Sequence, residues 1–492
     1  MYRLVLYYLI FLLLVASFLG MIGLFAYSPV AIISSSLLLV AICWVSNKVF
    51  AWVFHAPTNI ESVYISALIL ALILSPISSS TDLPLYLWAG VLAMASKYIL
   101  AVRSKHLFNP VAVAVTLTAV GFGGSASWWI GTGVLLPFLL LGVLIVRKIR
   151  RFDLVFYFFL ASLVTMFGFS FLQGSDLGIT MKQIIVSSPI FFFAFIMLTE
   201  PLTTPPTKKL QILYGMLVGV LFAPQFHIGS FYLSPENALV IGNIFSYVVS
   251  PKWKVISTIQ QKIQIAPNMI DFLFTPPKKL AFSPGQYLEW TVPHKNADSR
   301  GNRRYFTIAS SPTEDTVRLG IKFYPEGSSF KKALMTLDSK TPIVGAGVSG
   351  DFTLPTDPNQ KLVFIAGGIG ITPFRSMLKY LIDTNQSRPI VLLYSNKTAD
   401  EIVYTDVFTQ AQSALGIKTV YALTDTANVP ANWQGSVGRV SAEMIAREVP
   451  DFKERTFYLS GPHAMVTGYE ETLKGMGVAA KDIKTDFFPG FV

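Results

Sequence analysis

A glycine turn in the second half of the chain has residue types that suit an anionic ligand. It lies within KLVFIAGGIGITPFRSMLKYL, where Gly367, Gly368 and Gly370 allow positive φ and a close approach of the backbone. Thr372 suits the N-cap of the following helix, and Pro373 suits its first position. Free N–H groups at this helix start predict an anion site suited to a dinucleotide pyrophosphate. A generic strand-to-helix turn would use the same glycines, so the turn alone leaves both interpretations open.

Polar side chains close to apolar runs in the first half form a second set of candidates. They are Lys97, His106, Asn109, Glu200 and His227. Placing such polar groups inside a membrane costs free energy, so they mark functional positions there. His106 and Glu200 lie at segment ends, where water could hydrogen-bond to them. Asn109 and Glu200 each precede a proline, in KHLFNPVAVAV and FIMLTEPLTTPPT. Interrupted backbone of this kind is tolerated at membrane depth only where it is buried in protein or lines a cavity.

The elements around the glycine turn predict an α/β domain over residues 359–492. A buried apolar strand, the turn and an amphipathic helix form one βα unit of a parallel sheet. Strands at 390–395 and 456–461, with a helical connection through 401–415, extend that sheet.

An antiparallel β-barrel is predicted before it, over residues 251–358. From near Trp253 the chain consists of short strands with turn residues between them. These strands lie in FSPGQYLEWTV, RRYFTIASS, VRLGIKFY and GAGVSGDFTLP. Close spacing of short strands is typical of a small barrel.

Composition separates these domains from a membrane domain over residues 1–250. The 492 residues are 52% hydrophobic and 14% charged, which excludes a wholly soluble globular chain. Residues 1–250 hold 12 Lys and Arg and 6 Asp and Glu, against 27 and 22 in the rest. The net charge of +11 divides as +6 and +5 between the halves, so it requires no nucleic-acid partner. The single cysteine, Cys43, rules out an intrachain disulfide and a four-thiolate iron–sulfur cluster built from this chain alone.

The first half contains ten apolar stretches, which predict a multi-pass α-helical bundle of about ten transmembrane helices. The stretches are 4–26, 30–50, 58–75, 84–103, 108–121, 128–146, 153–172, 184–199, 210–224 and 236–250. Alternate loops hold twelve Lys and Arg on one side and only Lys182 on the other. The positive-inside rule therefore predicts that both ends of the bundle, and the second half, are cytoplasmic. The first run is too long for a cleavable signal peptide.

The second half resembles the ferredoxin–NADP reductase superfamily over roughly residues 255–492. The flavin motif of that family, Arg-x-Tyr/Phe-Ser/Thr-x-x-Ser, matches Arg304-Tyr305-Phe306-Thr307-Ile308-Ala309-Ser310. The resemblance implies that Arg304 pairs with the FAD pyrophosphate, that Phe306 lies on the isoalloxazine and that the Thr307 hydroxyl lies near its N5. The same FAD site is implied to include Tyr305, Ser310, Gly327, Ser328 and Ser329.

The family's nicotinamide motifs match Gly367–Pro373 and Ser460-Gly461-Pro462-His463-Ala464-Met465. The family usually has Cys where this chain has Ser460, whose hydroxyl is implied to position the nicotinamide over the flavin. Thr307 and Ser460 are therefore the catalytic candidates. The implied dinucleotide contacts are Gly367, Gly368, Gly370, Thr372, Gly461, Pro462 and Met465. Lys397 alone does not separate NADH from NADPH. The terminal aromatics Phe487, Phe488 and Phe491 would cover the flavin or pack in the core.

The first half resembles the NqrB/RnfD family of flavin-carrying membrane subunits. The match rests on Phe108-Asn109-Pro110 and on Thr199-Glu200-Pro201 with Thr203, Thr204 and Pro206. Family members attach FMN to a Thr in a Ser-Gly-Ala-Thr type motif, which is not present here. The corresponding loop offers Ser125, Ser127 and Thr132, a poor match for covalent attachment. Non-covalent FMN, riboflavin or quinone binding at Asn109 and Glu200 remains open.

The leading hypothesis is an FAD-dependent NAD(P)H oxidoreductase of the inner cell membrane. It would pass electrons into the membrane domain, to a second flavin or to quinone, with iron–sulfur or other electron-transfer subunits as possible partners. Ion translocation is implied by the family resemblance alone. A haem-bearing ferric reductase or NADPH oxidase is an alternative, but it requires two pairs of intramembrane His, and the first half has only His55, His106 and His227. A third hypothesis is a nucleotide-regulated transporter or channel. The intact flavin motif disfavours it, because sensing a nucleotide does not require FAD.

Overall fold

The chain is described from a computed structural model that covers residues 2–55, 60–102, 105–228, 231–250, 254–294, 297–298 and 301–486. These residues fall into two compact units with the boundary after Ser250. Trp253 and the terminal aromatics Phe487, Phe488 and Phe491 lie outside the described residues.

The first unit consists mainly of helices, with two hairpins of two-residue strands between them. The helices are α1 (Tyr2–Met21), α2 (Pro29–Val53), α3 (Ile60–Ile73), α4 (Leu83–Ile99), α5 (Pro110–Phe122), α6 (Leu136–Leu139), α7 (Val143–Ile149), α8 (Phe152–Leu172), α9 (Leu177–Val186), α10 (Ile190–Phe192), α11 (Lys208–Leu221) and α12 (Pro235–Val249). The hairpin strands are β1 (Ala101–Val102), β2 (Lys105–His106), β3 (His227–Ile228) and β4 (Phe231–Tyr232).

Capping residues set the starts of several of these helices. Ser28, Asn109, Asp176 and Ser234 precede α2, α5, α9 and α12, and each side chain accepts a hydrogen bond from an N–H of the first turn. The cap satisfies a donor that has no partner within the helix. Proline follows in the first turn of α2, α5 and α12, where its missing N–H costs nothing.

Most of these helices are shorter than a full membrane crossing requires, so the prediction of about ten transmembrane helices is supported only in part. A helix lies in each apolar stretch, but among the described residues only α1, α2 and α8 are long and apolar enough to cross a bilayer, with 20, 25 and 21 residues. α9 and the segment Ile190–Met197 together make a fourth span only if a bend of 56° is allowed. Pro189 lies at that bend, and Pro137 lies in the four-residue α6. Proline removes a helix hydrogen bond, which explains the break at Pro189, whereas Pro137 lies in the first turn of α6, where proline is tolerated.

The first part of the second unit confirms the predicted antiparallel barrel. Its strands are β5 (Lys254–Ser257), β6 (Gln261–Ala266), β7 (Met269–Phe274), β8 (Tyr287–Thr291), β9 (Arg303–Thr307), β10 (Val317–Lys322) and β11 (Ile343–Ser349). They form antiparallel sheets in the orders β10-β7-β6 and β5-β11-β8-β9. Trp290, Phe272, Phe274 and Phe330 are buried in the core between them, and Phe330 belongs to helix α13 (Ser329–Thr336).

The second part confirms the predicted parallel sheet. Its strands are β12 (Leu362–Gly367), β13 (Ile390–Asn396), β14 (Lys418–Leu423), β15 (Ser436–Val437), β16 (Thr456–Ser460) and β17 (Ile483–Thr485). They pair in parallel in the order β15-β14-β13-β12-β16-β17. The helices are α14 (Thr372–Asp383), α15 (Thr405–Leu415), α16 (Ala442–Glu448) and α17 (His463–Gly475). Every residue of β12 and β13 is buried, as expected for central strands covered on both faces.

Candidate active site at the carboxyl ends of the parallel sheet

The glycine turn and the Ser460 motif lie against each other at the carboxyl ends of β12 and β16. These neighbouring parallel strands carry the two motifs at the same edge of the sheet. A Cβ on Gly370 would lie 2.5 Å from both the Gly461 Cα and the Ser460 carbonyl oxygen, and a Cβ on Gly367 would collide with the Met465 sulfur. The close approach of these two backbones therefore requires glycine.

The helix after the glycine turn begins differently from the sequence expectation. A 3₁₀ turn over Gly368–Ile371 runs directly into α14, and Thr372 is already helical, with φ −55° and ψ −44°. The prediction that Thr372 caps the helix is therefore wrong. Its hydroxyl instead donates to the Ile369 carbonyl at 3.2 Å. Gly368 has φ +53° with open space around it, so the left-handed conformation fits the predicted use of glycine there.

Ser460 and Thr307, the two catalytic candidates, meet at Asp486. Ser460 Oγ donates to Asp486 Oδ2 at 3.0 Å, and the Thr307 hydroxyl lies close enough to this carboxyl group to lower its pKa. Asp486 directly follows the edge strand β17, while Thr307 ends the barrel strand β9. Burial raises the pKa of Asp486 to about 7, although the two hydroxyls act in the opposite direction. A carboxyl group that titrates near neutral pH thus lies between the two motifs.

Arg304 and the start of α13 converge on one carboxylate. The Arg304 guanidinium, only 6% exposed, donates to both oxygens of Asp298 at 2.8 and 3.0 Å. The Ser329 N–H donates to Asp298 Oδ2 at 3.2 Å, and Ser329 Oγ accepts from the Asp298 N–H at 2.9 Å. Ser328 caps α13 by accepting from the Lys331 N–H. Residues from two of the predicted phosphate-binding segments are therefore brought together around an anion.

The remaining residues of the flavin motif occupy different environments. Strand alternation puts Arg304 and Phe306 on one face of β9, where Phe306 packs at 5.7 Å from the ring of Phe330. Tyr305 lies on the other face with Thr307 and makes an edge contact with the Tyr287 ring at 5.5 Å. The stacking of Phe306 on a flavin stays a prediction.

Ser310, the last residue of the flavin motif, is fully buried in contacts with protein groups. Its Oγ accepts from the Arg318 N–H at 3.0 Å, and its carbonyl accepts from Ser376 Oγ at 2.7 Å. Ser376 belongs to α14, so Ser310 joins the barrel to the helix that follows the glycine turn. The predicted cofactor contact of Ser310 stays a prediction.

Asn109 and Glu200, the candidates in the first unit, contact each other. Asn109 Nδ2 donates to Glu200 Oε2 at 2.9 Å, while Asn109 Oδ1 caps α5. The Asn109 N–H donates to Asn243 Oδ1 at 2.8 Å, and Asn243 Nδ2 donates to Tyr214 Oη at 3.1 Å. Thr203 Oγ1 lies 3.3 Å from Glu200 Oε2. The two short motifs that carry the membrane-family resemblance thus form one polar cluster, in which Asn109 and Thr203 are buried and Glu200 is partly exposed.

Other first-unit candidates lie apart in local contacts. Lys97 Nζ donates to the carbonyl and hydroxyl oxygens of Ser62 at 2.9 and 3.1 Å. The His227 ring lies 4.9 Å from that of Tyr232 in the β3–β4 hairpin. Ser127 Oγ donates to the Ile73 carbonyl at 3.2 Å.

Sequence reasoning missed Asp298 and Asp486. Asp298 lies only six residues before Arg304, yet nothing in its local pattern marks it as a ligand. Asp486 directly follows β17, and the pairing of β17 with the Ser460 strand β16 brings its carboxyl group to Ser460. The pairing of β17 with β16 was not predicted, so the carboxyl group was not placed near Ser460.

The comparison with protein families identifies a domain within the second unit. Residues 364–471 match the oxidoreductase NAD-binding domain family. A glycine betaine monooxygenase reductase subunit of Chromohalobacter salexigens is 25% identical over 246 residues, which cover 48% of this chain and 65% of the relative. NADH-cytochrome b5 reductase 1 of Aspergillus terreus is 26% identical over 230 residues, which cover 44% and 76%.

Among solved structures, the Amycolatopsis cytochrome P450 reductase GcoB matches with 24% identity and a TM-score of 0.44, covering 49% of this chain and 71% of that one. The chain spans less than two thirds of the length of the glycine betaine monooxygenase reductase subunits. Three observations agree on the same type of module: the NAD-binding match, the barrel followed by a parallel sheet, and the order of the motifs along the chain. The second unit therefore carries an FAD- and NAD(P)H-binding reductase module of the ferredoxin–NADP reductase type.

Proposed function

We propose that this protein is a membrane-bound, FAD-dependent NAD(P)H oxidoreductase that delivers electrons to an acceptor in or at its first unit. The observation that carries the proposal is the convergence of Thr307 and Ser460 on Asp486. One hydroxyl belongs to the flavin motif and the other to the nicotinamide motif, so the two motifs lie within reach of a single side chain. Such a meeting point is what direct hydride transfer between two bound cofactors requires.

The residues around Asp298 fit the diphosphate of FAD. The Arg304 guanidinium and the Ser329 N–H already hold a carboxylate, and the same donors suit a phosphate. Bound FAD would accept a hydride from NAD(P)H and release electrons singly. Arg304, Ser328 and Ser329 would hold its diphosphate, while the glycine turn and Gly461, Pro462 and Met465 would hold the dinucleotide.

The chain's own residues contribute to the chemistry in two ways: they orient the two cofactors, and they hold or release a proton. Hydride transfer to the flavin needs no general base, so Thr307 and Ser460 act by orienting the two rings. Asp486, whose pKa burial raises to about 7, holds or releases a proton at its carboxyl oxygen near neutral pH. This location suits the proton that accompanies the stepwise loss of electrons.

The membrane location is supported by the surface of the first unit. Large apolar side chains on its long helices are exposed, among them Val30 at 76%, Trp52 at 76% and Leu172 at 81%. A lipid bilayer would cover such surfaces, which are uncommon on a protein that contacts only water. The charges of the alternate loops favour an inner-membrane protein with cytoplasmic termini.

Membrane topology can be tested by labelling single cysteines. In a Cys43→Ala background, Ser125→Cys lies in a loop and Lys209→Cys in the first turn of α11, and the charge pattern assigns these two positions to opposite sides. A membrane-impermeant maleimide should label Ser125→Cys in intact cells, and Lys209→Cys only after lysis. Equal labelling of both before lysis would contradict the proposed orientation.

The acceptor is proposed to be a flavin, as FMN or riboflavin, or a quinone, bound near Asn109 and Glu200. Their cluster is polar, lies within an apolar unit and joins the two motifs of the NqrB/RnfD resemblance. The relatives named as monooxygenase reductase subunits support a separate electron-accepting protein as the alternative. Ion translocation is part of the proposal only through the NqrB/RnfD resemblance.

The central experiment measures reduction of FAD in the full-length protein purified in detergent. Anaerobic mixing with NADH or NADPH should bleach the flavin absorbance. Arg304→Lys should lose FAD because a lysine cannot make the bidentate contact. Arg303→Lys, the neighbouring position on the opposite face of β9, should keep it. Failure of the wild-type protein to bind FAD, or of either nucleotide to bleach it, would overturn the proposal.

A further inference from the structure

A buried contact between Tyr404 and Asp271 joins the parallel-sheet part of the second unit to its barrel. Tyr404 immediately precedes α15, and its Oη donates to Asp271 Oδ1 at 2.6 Å. Asp271 lies within β7 and is fully buried. Arg318 on β10 donates to the other carboxylate oxygen at 2.5 Å. A buried carboxylate that accepts from a guanidinium and a phenol is held in a fixed direction.

The backbone at Tyr404 is held in an uncommon conformation. Its φ of +61° lies in the left-handed region, which is rare for a bulky residue and persists only where the surroundings enforce it. Gly320 lies opposite Asp271 in the β10–β7 register and leaves the necessary space. A Cβ on Gly320 would lie 2.5 Å from Tyr404 Oη and 2.9 Å from Thr372 Cγ2. The barrel therefore approaches both Tyr404 and the start of α14 at this one position.

Arg375 connects Tyr404 to the flavin motif. The centre of its guanidinium lies 5.5 Å from the centroid of the Tyr404 ring. The same guanidinium donates to the Ala309 carbonyl at 2.8 Å and to both oxygens of Glu314 at 2.7 and 3.0 Å. Ala309 belongs to the flavin motif, and Arg375 lies in the first turn of α14, directly after the glycine turn. One side chain thus contacts Tyr404, the barrel and the flavin motif.

From this arrangement we propose that Tyr404 and Asp271 are positioning residues for hydride transfer. Neither belongs to a cofactor motif. Their contact fixes the barrel strand β7 against α15, and through Arg375 it fixes the glycine turn against the flavin motif. The inference rests on the proposed function. Because a misplacement of about 1 Å can slow a reaction by about a hundredfold, loss of this single hydroxyl is expected to slow hydride transfer by about tenfold.

Tyr404→Phe tests the proposal because it removes only the hydroxyl and keeps the ring over Arg375. The full-length protein is mixed anaerobically with NADH or NADPH, whichever reduces the wild type, and the bleaching rate is measured against nucleotide concentration. The limiting rate should fall about tenfold, while the apparent dissociation constants of the nucleotide and of FAD change less than twofold. Hydrogen–deuterium exchange of the first turn of α14, measured without nucleotide, should become faster.

Tyr394→Phe is the matched control. Tyr394 is also buried, and its Oη accepts from the Val403 N–H at 3.5 Å within the parallel-sheet part. This variant should lose a hydroxyl without slowing hydride transfer or loosening α14. Gly320→Ala disrupts the same contact from the barrel side, because its added Cβ would clash with Tyr404 Oη. This variant should also reduce the rate of hydride transfer while it retains FAD.

The outcomes separate this inference from the proposed function. Wild-type protein that is not bleached by either nucleotide would refute the proposed function itself. Wild-type bleaching together with an unchanged rate in Tyr404→Phe would overturn only the positioning role. Loss of FAD in both Tyr404→Phe and Gly320→Ala, or equal slowing by Tyr394→Phe, would also overturn it, because the contact would then be a general stabilising one.

Discussion

The Arg304 guanidinium binds both carboxylate oxygens of Asp298, at 2.8 and 3.0 Å. The flavin motif assigns this arginine to a phosphate, and the Ser329 N–H, also assigned to a phosphate, donates to the same carboxylate. An aspartate of the chain therefore holds the donors that FAD would need. If FAD binds as proposed, its diphosphate would compete with Asp298 for these donors.

Removal of this competitor is expected to strengthen FAD binding. Asp298→Ala leaves Arg304 and the Ser329 N–H available, so the dissociation constant of FAD should fall by about tenfold, the equivalent of one charge-assisted hydrogen bond at about 1.5 kcal/mol. The measurement is quenching of FAD fluorescence on addition of the deflavinated protein. Asp315→Ala, an exposed aspartate that pairs with Lys279, is the control and should leave the affinity unchanged. Weaker binding by Asp298→Ala would mean that Asp298 supports the site rather than competes for it.

Asp486 makes stability depend on pH in a defined direction. Its folded-state pKa of about 7 lies above the ordinary value near 3.9, so the folded state prefers the protonated carboxyl group. The stabilisation is complete below about pH 4 and is lost as the pH rises through 7. Relative to Asp486→Asn, the wild type should lose unfolding free energy between these values. Thermal unfolding of both proteins across that range measures the difference, and parallel curves would contradict the raised pKa.

Ser460 should influence the pKa of the Asp486 carboxyl group. Its hydroxyl donates to Asp486 and so lowers the pKa of that carboxyl group. In Ser460→Ala the group should titrate at higher pH, while Ser460→Cys, with a weak donor, should fall between. The pH profile of flavin reduction by NAD(P)H reports this shift. A profile that is displaced in Asp486→Asn but identical in Ser460→Ala and wild type would refute the coupling.

Gly370 should be required for the nucleotide site. An alanine Cβ there would lie 2.5 Å from the Gly461 Cα and the Ser460 carbonyl oxygen, both of which are backbone atoms that cannot rotate away. Gly370→Ala should therefore destabilise the protein by about 1–3 kcal/mol and weaken NAD(P)H binding more than FAD binding. Gly468→Ala, with no atom close to the added Cβ, is the control for both measurements. Normal nucleotide affinity in Gly370→Ala would contradict the close approach.

The parts of the molecule that follow from local pattern could be predicted from the sequence. The glycine turn, the barrel strands and the parallel sheet each have a signal within about 20 residues, and the structure confirms these elements. Contacts between distant segments had no such signal. Asp486 lies 26 residues from Ser460, and Tyr404 lies 133 from Asp271. The helix break at Pro189 was also missed, because hydropathy does not register the hydrogen bond lost there.

Asn109 offers a way to separate the two units functionally. Its Oδ1 caps α5, and its Nδ2 donates to Glu200 at 2.9 Å. Asn109→Asp keeps an acceptor for the cap but replaces the donor to Glu200 with a second carboxylate, so it disrupts the proposed acceptor site while preserving the helix start. Reduction of FAD by NAD(P)H should proceed at the wild-type rate, because that chemistry is assigned to the second unit. Transfer from reduced FAD to a soluble quinone should slow by about tenfold or more, the effect of about 1.4 kcal/mol.

Asn237 supplies the control for that comparison. Its Oδ1 accepts from Thr116 Oγ1 at 2.9 Å, so it is another polar contact between α5 and α12. Asn237→Asp retains this acceptor and should leave both half-reactions unchanged. If reduced FAD is reoxidised by quinone as fast in Asn109→Asp as in Asn237→Asp, the polar cluster at Asn109 and Glu200 does not carry the electrons. The acceptor would then have to lie elsewhere.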